Sequence, residues 1–212
     1  MKFIKWLALA VVVLGLCMVP SIAQASGITG QIWIVPEATS QNAIPANVPG
    51  TPADATFNVA NGPIDFFAGF GGGYTIGDFV SNGGGTCTDV TAGTCASAMD
   101  NGTNGTLIEL TGMVSVTSGE SFTVTHDDGL TLIIDGINLG FNPGPTAPTT
   151  TTLTWTGSSG NFSFQLVYGE CCGAPAVLQT SLPLTGQTPE PASLLLLGTG
   201  LLGVGFARRY FA

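Results

Sequence analysis

The densest group of chemically capable residues in this 212-residue chain is His126-Asp127-Asp128-Gly129. Two adjacent carboxylates on one short segment supply hard oxygen donors of the kind Ca²⁺ takes, and part of its coordination shell. The same run also fits a hydrogen-bonded turn in which the carboxylates accept backbone N–H groups. Both readings stand at this level. His126 beside two carboxylates has the surroundings of a proton carrier, because neighbouring negative charge favours its charged form. It is the chain's only histidine and no GxSxG motif accompanies it, so a surface turn histidine is expected. Asp135 and Glu170 are the remaining carboxyls considered as partners for Asp127 or Asp128 in a glycosidase-like acid pair, which needs carboxyls roughly 5–10 Å apart. Spacing in sequence does not establish that separation. No catalytic residue is assigned, and the chain is read as non-enzymatic.

The segments around this cluster carry the two-residue alternation of β-strands. Ser121 to Thr125 leads through the Asp pair into Leu130 to Ile134, which reads as a hairpin, and Asp135-Gly136 makes the next tight turn. Thr106 to Val116 alternates around Gly112, which is expected to mark a bulge. Thr151 to Thr156 follows, then Asn161 to Tyr168 with Phe162, Phe164, Leu166 and Tyr168 on one face, then Ala176 to Leu182. In the first half, Ile28 to Val35, Ala55 to Val59 and Ile64 to Phe67 are strand candidates. Almost nothing has helical period. Many short strands at this spacing predict an all-β antiparallel sandwich, jelly-roll-like, with Trp33, Trp155 and Tyr168 as core residues. The glycine-rich stretches at 69–73 and 82–85 lack a following Lys-Ser/Thr, so they read as turns and not as phosphate-binding loops.

Charge narrows the partners. No Lys or Arg lies between Lys5 and Arg208, while all thirteen acidic residues do. Such a surface offers no cation to phosphate, which excludes nucleic acid, but its carboxylates can collect divalent cations. Four cysteines follow residue 25: Cys87, Cys95, Cys171 and Cys172. An even number suits an oxidising compartment, and three connectivities are open. A local Cys87–Cys95 bridge is favoured, which leaves Cys171–Cys172 as a vicinal pair or each crossing to the earlier two.

Both ends read as targeting segments. Lys2 and Lys5, an apolar run from Leu7 to Val19, and Ala23-Gln24-Ala25 form a signal peptide (1–25) with cleavage between Ala25 and Ser26. A domain over 26–182 and a linker over 183–191 precede a C-terminal segment, 192–212, read as a transmembrane sorting helix with a basic stop. Its apolar part, Ala192 to Ala207, follows Pro189-Glu190-Pro191 and precedes Arg208-Arg209. The prolines start the helix after themselves, and the arginines resist crossing a bilayer. This tail resembles the PEP-CTERM sorting signal of Gram-negative envelope proteins. The resemblance implies a precursor anchored in the inner membrane, cleavage by an exosortase-type membrane protease, release to the cell surface or beyond, and association with exopolysaccharide.

A second resemblance covers the domain. Phe122 to Gly136 with its paired aspartates, Gly27 to Trp33, Gly62 to Phe66, Phe164 to Glu170 and Gly173 to Leu178 occur in the order of the protective-antigen-type β-sandwich. That module is found in toxins, glycosidases and yeast flocculin adhesins. In carbohydrate-binding members the paired aspartates hold Ca²⁺, often across a cis peptide, and the ion contacts sugar hydroxyls. The resemblance thus implies a metal or glycan site at Asp127 and Asp128, and an adhesion module. The alternatives are a structural matrix protein without a ligand, with Asn101, Asn104 and Asn161 in glycosylation sequons, and a glycoside hydrolase.

Overall fold

The alternating segments pair into two antiparallel sheets that face one another across a single apolar core. The computed structural model describes residues 27–59, 63–69, 71 and 73–185. The signal peptide with its Ala25/Ser26 cleavage point, Pro189-Glu190-Pro191, the sorting helix and Arg208-Arg209 lie outside the described residues. Among the described residues no helix is long and apolar enough to cross a membrane.

The larger sheet contains β1 (Ile28–Pro36), β2 (Ala55–Val59), β4 (Thr88–Asp89), β5 (Asn104–Val116), β7 (Gly129–Ile134), β8 (Ile137–Asn138) and β10 (Gly160–Glu170). Their order is β4-β2-β1-β5-β10-β7-β8. The smaller sheet has β3 (Ile64–Ala68), β11 (Ala176–Thr180), β6 (Ser121–Asp127) and β9 (Thr149–Thr154), in the order β3-β11-β6-β9. The strand candidates read from sequence all form.

Side-chain alternation sets what each strand buries. In β6, Phe122, Val124 and His126 point inward while Ser121 and Thr123 face solvent. In β10, Phe164, Leu166, Tyr168 and Glu170 share the inner face. Its other face is covered too, because Val167 packs with Trp33, Val35, Ala43, Ala53 and Leu107 in a second apolar cluster. Helix α1 (Glu37–Ser40) lies on that outer side, where Gly169 leaves room for the Ser40 carbonyl. Trp33, Trp155 and Tyr168 are buried, as core residues should be.

Three local features depart from the sequence reading. Ser121–Asp127 and Gly129–Ile134 are not a hairpin, since β6 pairs with β11 and β9 while β7 pairs with β10 and β8. The chain leaves one sheet at Asp127 and enters the other at Gly129. Gly112 is not a bulge: β5 and β10 pair without interruption from Thr106–Glu170 to Val116–Gly160. The glycine is there because the Phe164 ring occupies the space a Cβ would take. A helix also forms where none was read. In α2 (Ile76–Asn82), Thr75 accepts from the Asp78 N–H at 3.1 Å, and the Asp78 carboxylate accepts from the Thr75 N–H at 3.0 Å. This reciprocal cap satisfies donors that a short helix otherwise leaves bare.

An aromatic column links these elements. Phe57 of β2 meets Phe66 of β3 edge-on at 5.4 Å, Phe66 stacks on Phe79 of α2 at 5.4 Å, and Phe79 stacks on Tyr168 of β10 at 5.6 Å. The column ends in a phenol, so an apolar stack delivers one polar hydroxyl to the end of the core.

Candidate functional site

Two chain crossings lie side by side at one end of the sandwich. The first is β6 to β7, through Asp128. The second is β10 to β11, through 171–175, and it also passes between the sheets. Pairing holds them together: Val177 sits opposite Asp127, and Gly169 opposite Gly129. Residues some forty positions apart therefore share one small volume. A third segment, 142–146, closes over it, with the Leu130 N–H donating to the Asn142 carbonyl at 2.9 Å. Gly129 permits this approach, since the Pro143 carbonyl oxygen lies where its Cβ would be.

Asp127 and Asp128 are both buried, and the peptide between them is cis. The Asp128 carboxylate accepts from the Cys171 N–H at 2.9 Å through Oδ2 and from the Thr146 N–H at 3.2 Å through Oδ1. The Asp127 carboxyl has a different environment, in which the neighbouring charge is that of Asp128. His126 is buried, and its Nδ1 lies 2.5 Å from the Asp128 carbonyl oxygen. A carbonyl only accepts, so Nδ1 carries the hydrogen in this contact. The ring also meets Phe141 edge-on at 5.8 Å.

Behind the pair lies a third buried carboxyl, Glu170. Tyr74 donates to its Oε1 at 2.6 Å, and the Tyr168 hydroxyl contacts both its Oε2 and the Asp127 carbonyl oxygen. Three carboxyls thus face one another with no Lys or Arg anywhere between residues 5 and 208 to balance them. Burial and then the neighbouring Asp128 charge push Asp127 up to about 7. Burial also raises Asp128, against the N–H bonds from Cys171 and Thr146, which pull it down. Glu170 is pushed up to about 9, chiefly by burial, with the Asp128 and Asp127 charges adding to it. Each shift has the same root, which is negative charge taken out of water without a counter-ion.

The structure brings Asp127, Asp128 and Glu170 together and separates Asp135 from them. Asp135 is exposed at the opposite end of six-residue β7, about 20 Å along the strand. That is too far for an acid pair with the Asp127–Asp128 segment. His126 is not a surface turn residue, because it is the last inward position of β6 before the crossing. Cys87 pairs with Cys95, and Cys171 with Cys172. In the first loop the Asp89 carboxylate accepts from the Gly93 N–H at 2.9 Å and the Cys95 N–H at 2.7 Å, which holds it below the usual carboxylate range. The Cys171 and Cys172 sulfurs come within 4.8 Å of an Asp128 oxygen. Joined to each other, they present no thiolate, so the donor set of this site is oxygen.

Glu170, named from sequence as an acid-pair candidate, and Tyr168, named as a core residue, meet behind the pair with Tyr74, which the sequence does not single out. A signal for Glu170 existed: extending the inward series Phe164, Leu166, Tyr168 by one step of two places Glu170 in the core, and a carboxylate there demands a reason.

With this geometry in hand, known proteins provide the comparison. A profile for the PEP-CTERM protein-sorting motif matches residues 187–209. The chain therefore carries that motif, the mark of an exported protein held in the membrane before processing. Among curated proteins nothing matches. Among solved structures, the chain is similar to the PA14 sugar-binding domain from an RTX adhesin, with TM-score 0.52 and 22% identity over 76% of this chain and 95% of that one. It is similar also to the PA14 domain of the antifreeze protein MpAFP, with TM-score 0.51 and 22% identity over 76% of this chain and 86% of that one. These likenesses establish the fold as that of PA14 domains, without singling out the protective antigen or the flocculins.

Proposed function

We propose that this protein is an exported envelope or extracellular-matrix module that binds carbohydrate at the Asp127–Asp128 crossing with the help of Ca²⁺. The observation that carries the reading is the buried, adjacent carboxyl pair in a domain that has no ammonium or guanidinium group to neutralise it. Buried carboxylates must take up protons or a cation, and leaving them charged and alone costs several kcal/mol per ion by general estimates. The donor set fits a hard divalent ion. Both Asp128 oxygens keep a lone pair beyond the N–H bond each accepts, and Asp127 contributes a second carboxyl from the next residue. Bound there, Ca²⁺ would supply open coordination positions that vicinal sugar hydroxyls can fill.

This chain's own residues would do the rest. The Cys171 and Thr146 N–H groups fix the Asp128 carboxylate, and Tyr168 fixes the Asp127 carbonyl. Sugar binding by the similar RTX adhesin domain supports the choice of ligand class. Of the two candidate acid partners, Asp135 lies at the far end of β7 and Glu170 is held behind the pair by Tyr74 and Tyr168, and the reading is of a binding module without catalysis. We place the module on the exopolysaccharide-associated route that the sorting motif suggests, with an exosortase-type protease acting near Pro189-Glu190-Pro191.

A thermal melt with and without Ca²⁺ tests the metal, and a glycan array on the same preparation tests the sugar. Ca²⁺ should raise the midpoint of the wild type, and Asp128→Asn should abolish the rise. Array binding should require Ca²⁺ and disappear in EDTA. A protein indifferent to Ca²⁺ in both experiments would instead be a structural sandwich whose Asp128 serves only to hold the two crossings together.

A further inference from the structure

We infer that Glu170 is a neutral carboxylic acid in the folded protein, and that it positions Asp127 by handing a hydrogen bond through Tyr168. The argument is a count of hydrogens. Five oxygens meet here in three contacts: Tyr74 Oη with Glu170 Oε1, Glu170 Oε2 with Tyr168 Oη, and Tyr168 Oη with the Asp127 carbonyl oxygen. Each phenol owns one hydrogen, and the carbonyl owns none.

Suppose Glu170 is a carboxylate. Tyr74 gives its hydrogen to Oε1, and Tyr168 can serve only one of its two neighbours. The remaining contact then sets two lone pairs against each other in a fully buried space, where an unmade hydrogen bond has its highest cost. Suppose instead that Oε2 carries a hydrogen. Glu170 donates to Tyr168, Tyr168 donates to Asp127, and Tyr74 donates to Oε1, so three hydrogens fill three contacts. The relay has one direction, ending on the backbone oxygen of Asp127.

Surroundings agree with the count. Glu170 and Tyr168 are fully buried, and Asp127, Asp128 and Asp100 add further negative charge nearby. His126 directs Nδ1 to the Asp128 carbonyl. Burial and the two aspartates hold the Glu170 proton on up to about 9. Glu170 is thus distinct from the aspartates: it lies behind them, and it acts on Asp127 only through Tyr168.

Glutamine has the shape of a protonated glutamate, with an acceptor oxygen and a donor group in the same places and one N–H more, which makes Glu170→Gln the discriminating variant. In EDTA its melting midpoint should stay within about 2 °C of the wild type, whereas Glu170→Ala and Glu170→Asp should each fall by roughly 5 °C or more. Infrared spectra at neutral pH should show a carboxylic-acid C=O band in Asp127→Asn that is lost in the double variant Asp127→Asn/Glu170→Gln. A double-variant spectrum that loses carboxylate bands and keeps the acid band would overturn the inference. So would a Glu170→Gln midpoint as low as that of Glu170→Ala. The positioning half rests on the cation reading, and it predicts that Glu170→Gln retains the Ca²⁺-induced rise in midpoint while Glu170→Asp loses most of it. If the wild type shows no rise, the cation reading fails, and the infrared and EDTA results still decide the protonation of Glu170.

Discussion

At the scale of single residues, the site is a problem of unbalanced charge, and pH exposes it. Glu170 has its ordinary value near 4.5 when unfolded and about 9 when folded, and Asp127 moves from 3.8 to about 7. The folded state therefore holds protons that the unfolded chain has already released. Stability from these groups is complete below their unfolded values and is lost as pH rises through the folded ones. In EDTA the melting midpoint should decline from pH 5 to pH 9, where many proteins hold steady. Above pH 7 the remaining decline belongs mainly to Glu170, so Glu170→Gln should flatten it there. A midpoint that rises across this range would contradict the assignment. The Asp pair was legible in sequence because its members are neighbours. Its partners were not: Tyr168 is 41 residues from Asp127, and Tyr74 is 96 from Glu170, distances that only the pairing of strands collapses.

At the scale of elements, strand identity was legible and sheet membership was not. Alternation within β6 and β7 shows which side chains face the core, but both sheets present their inner faces to the same core. The pattern is therefore equally satisfied by a hairpin and by a crossing. What distinguishes them is pairing with β10 and β11, far along the chain. Gly112 shows the same limit, since a bulge and a seat for Phe164 both call for glycine. The two accounts differ in the cost of a side chain. Gly112→Val should destabilise by about 1–3 kcal/mol through overpacking against the Phe164 ring, measured by urea unfolding. A neutral result would favour a slack bulge. Helix α2 had a readable signature in Thr75 and Asp78, three apart, but its seven residues are too few for a periodicity to stand out. Thr75→Ala should cost about 1 kcal/mol by removing half of the reciprocal cap.

At the scale of the whole molecule, an acidic domain without Lys or Arg is joined to a sorting motif whose match covers Arg208 and Arg209. Cleavage near Pro189-Glu190-Pro191, together with loss of the signal peptide at Ala25, would leave a product containing no Lys or Arg at all. Intact-mass measurement of the exported form should give a chain that begins at Ser26 and ends close to Pro191. A mass that includes the final arginines would refute processing. Such a product offers carboxylates but no side-chain cation to a partner, and its most demanding negative charge lies where the two sheets exchange strands. The measurement that bears most directly on this account is the melting midpoint of the mature domain at neutral pH, in EDTA and in millimolar Ca²⁺. The account predicts a rise of several degrees with Ca²⁺ that is absent in Asp128→Asn. Identical midpoints for the wild type in EDTA and in Ca²⁺ would contradict it.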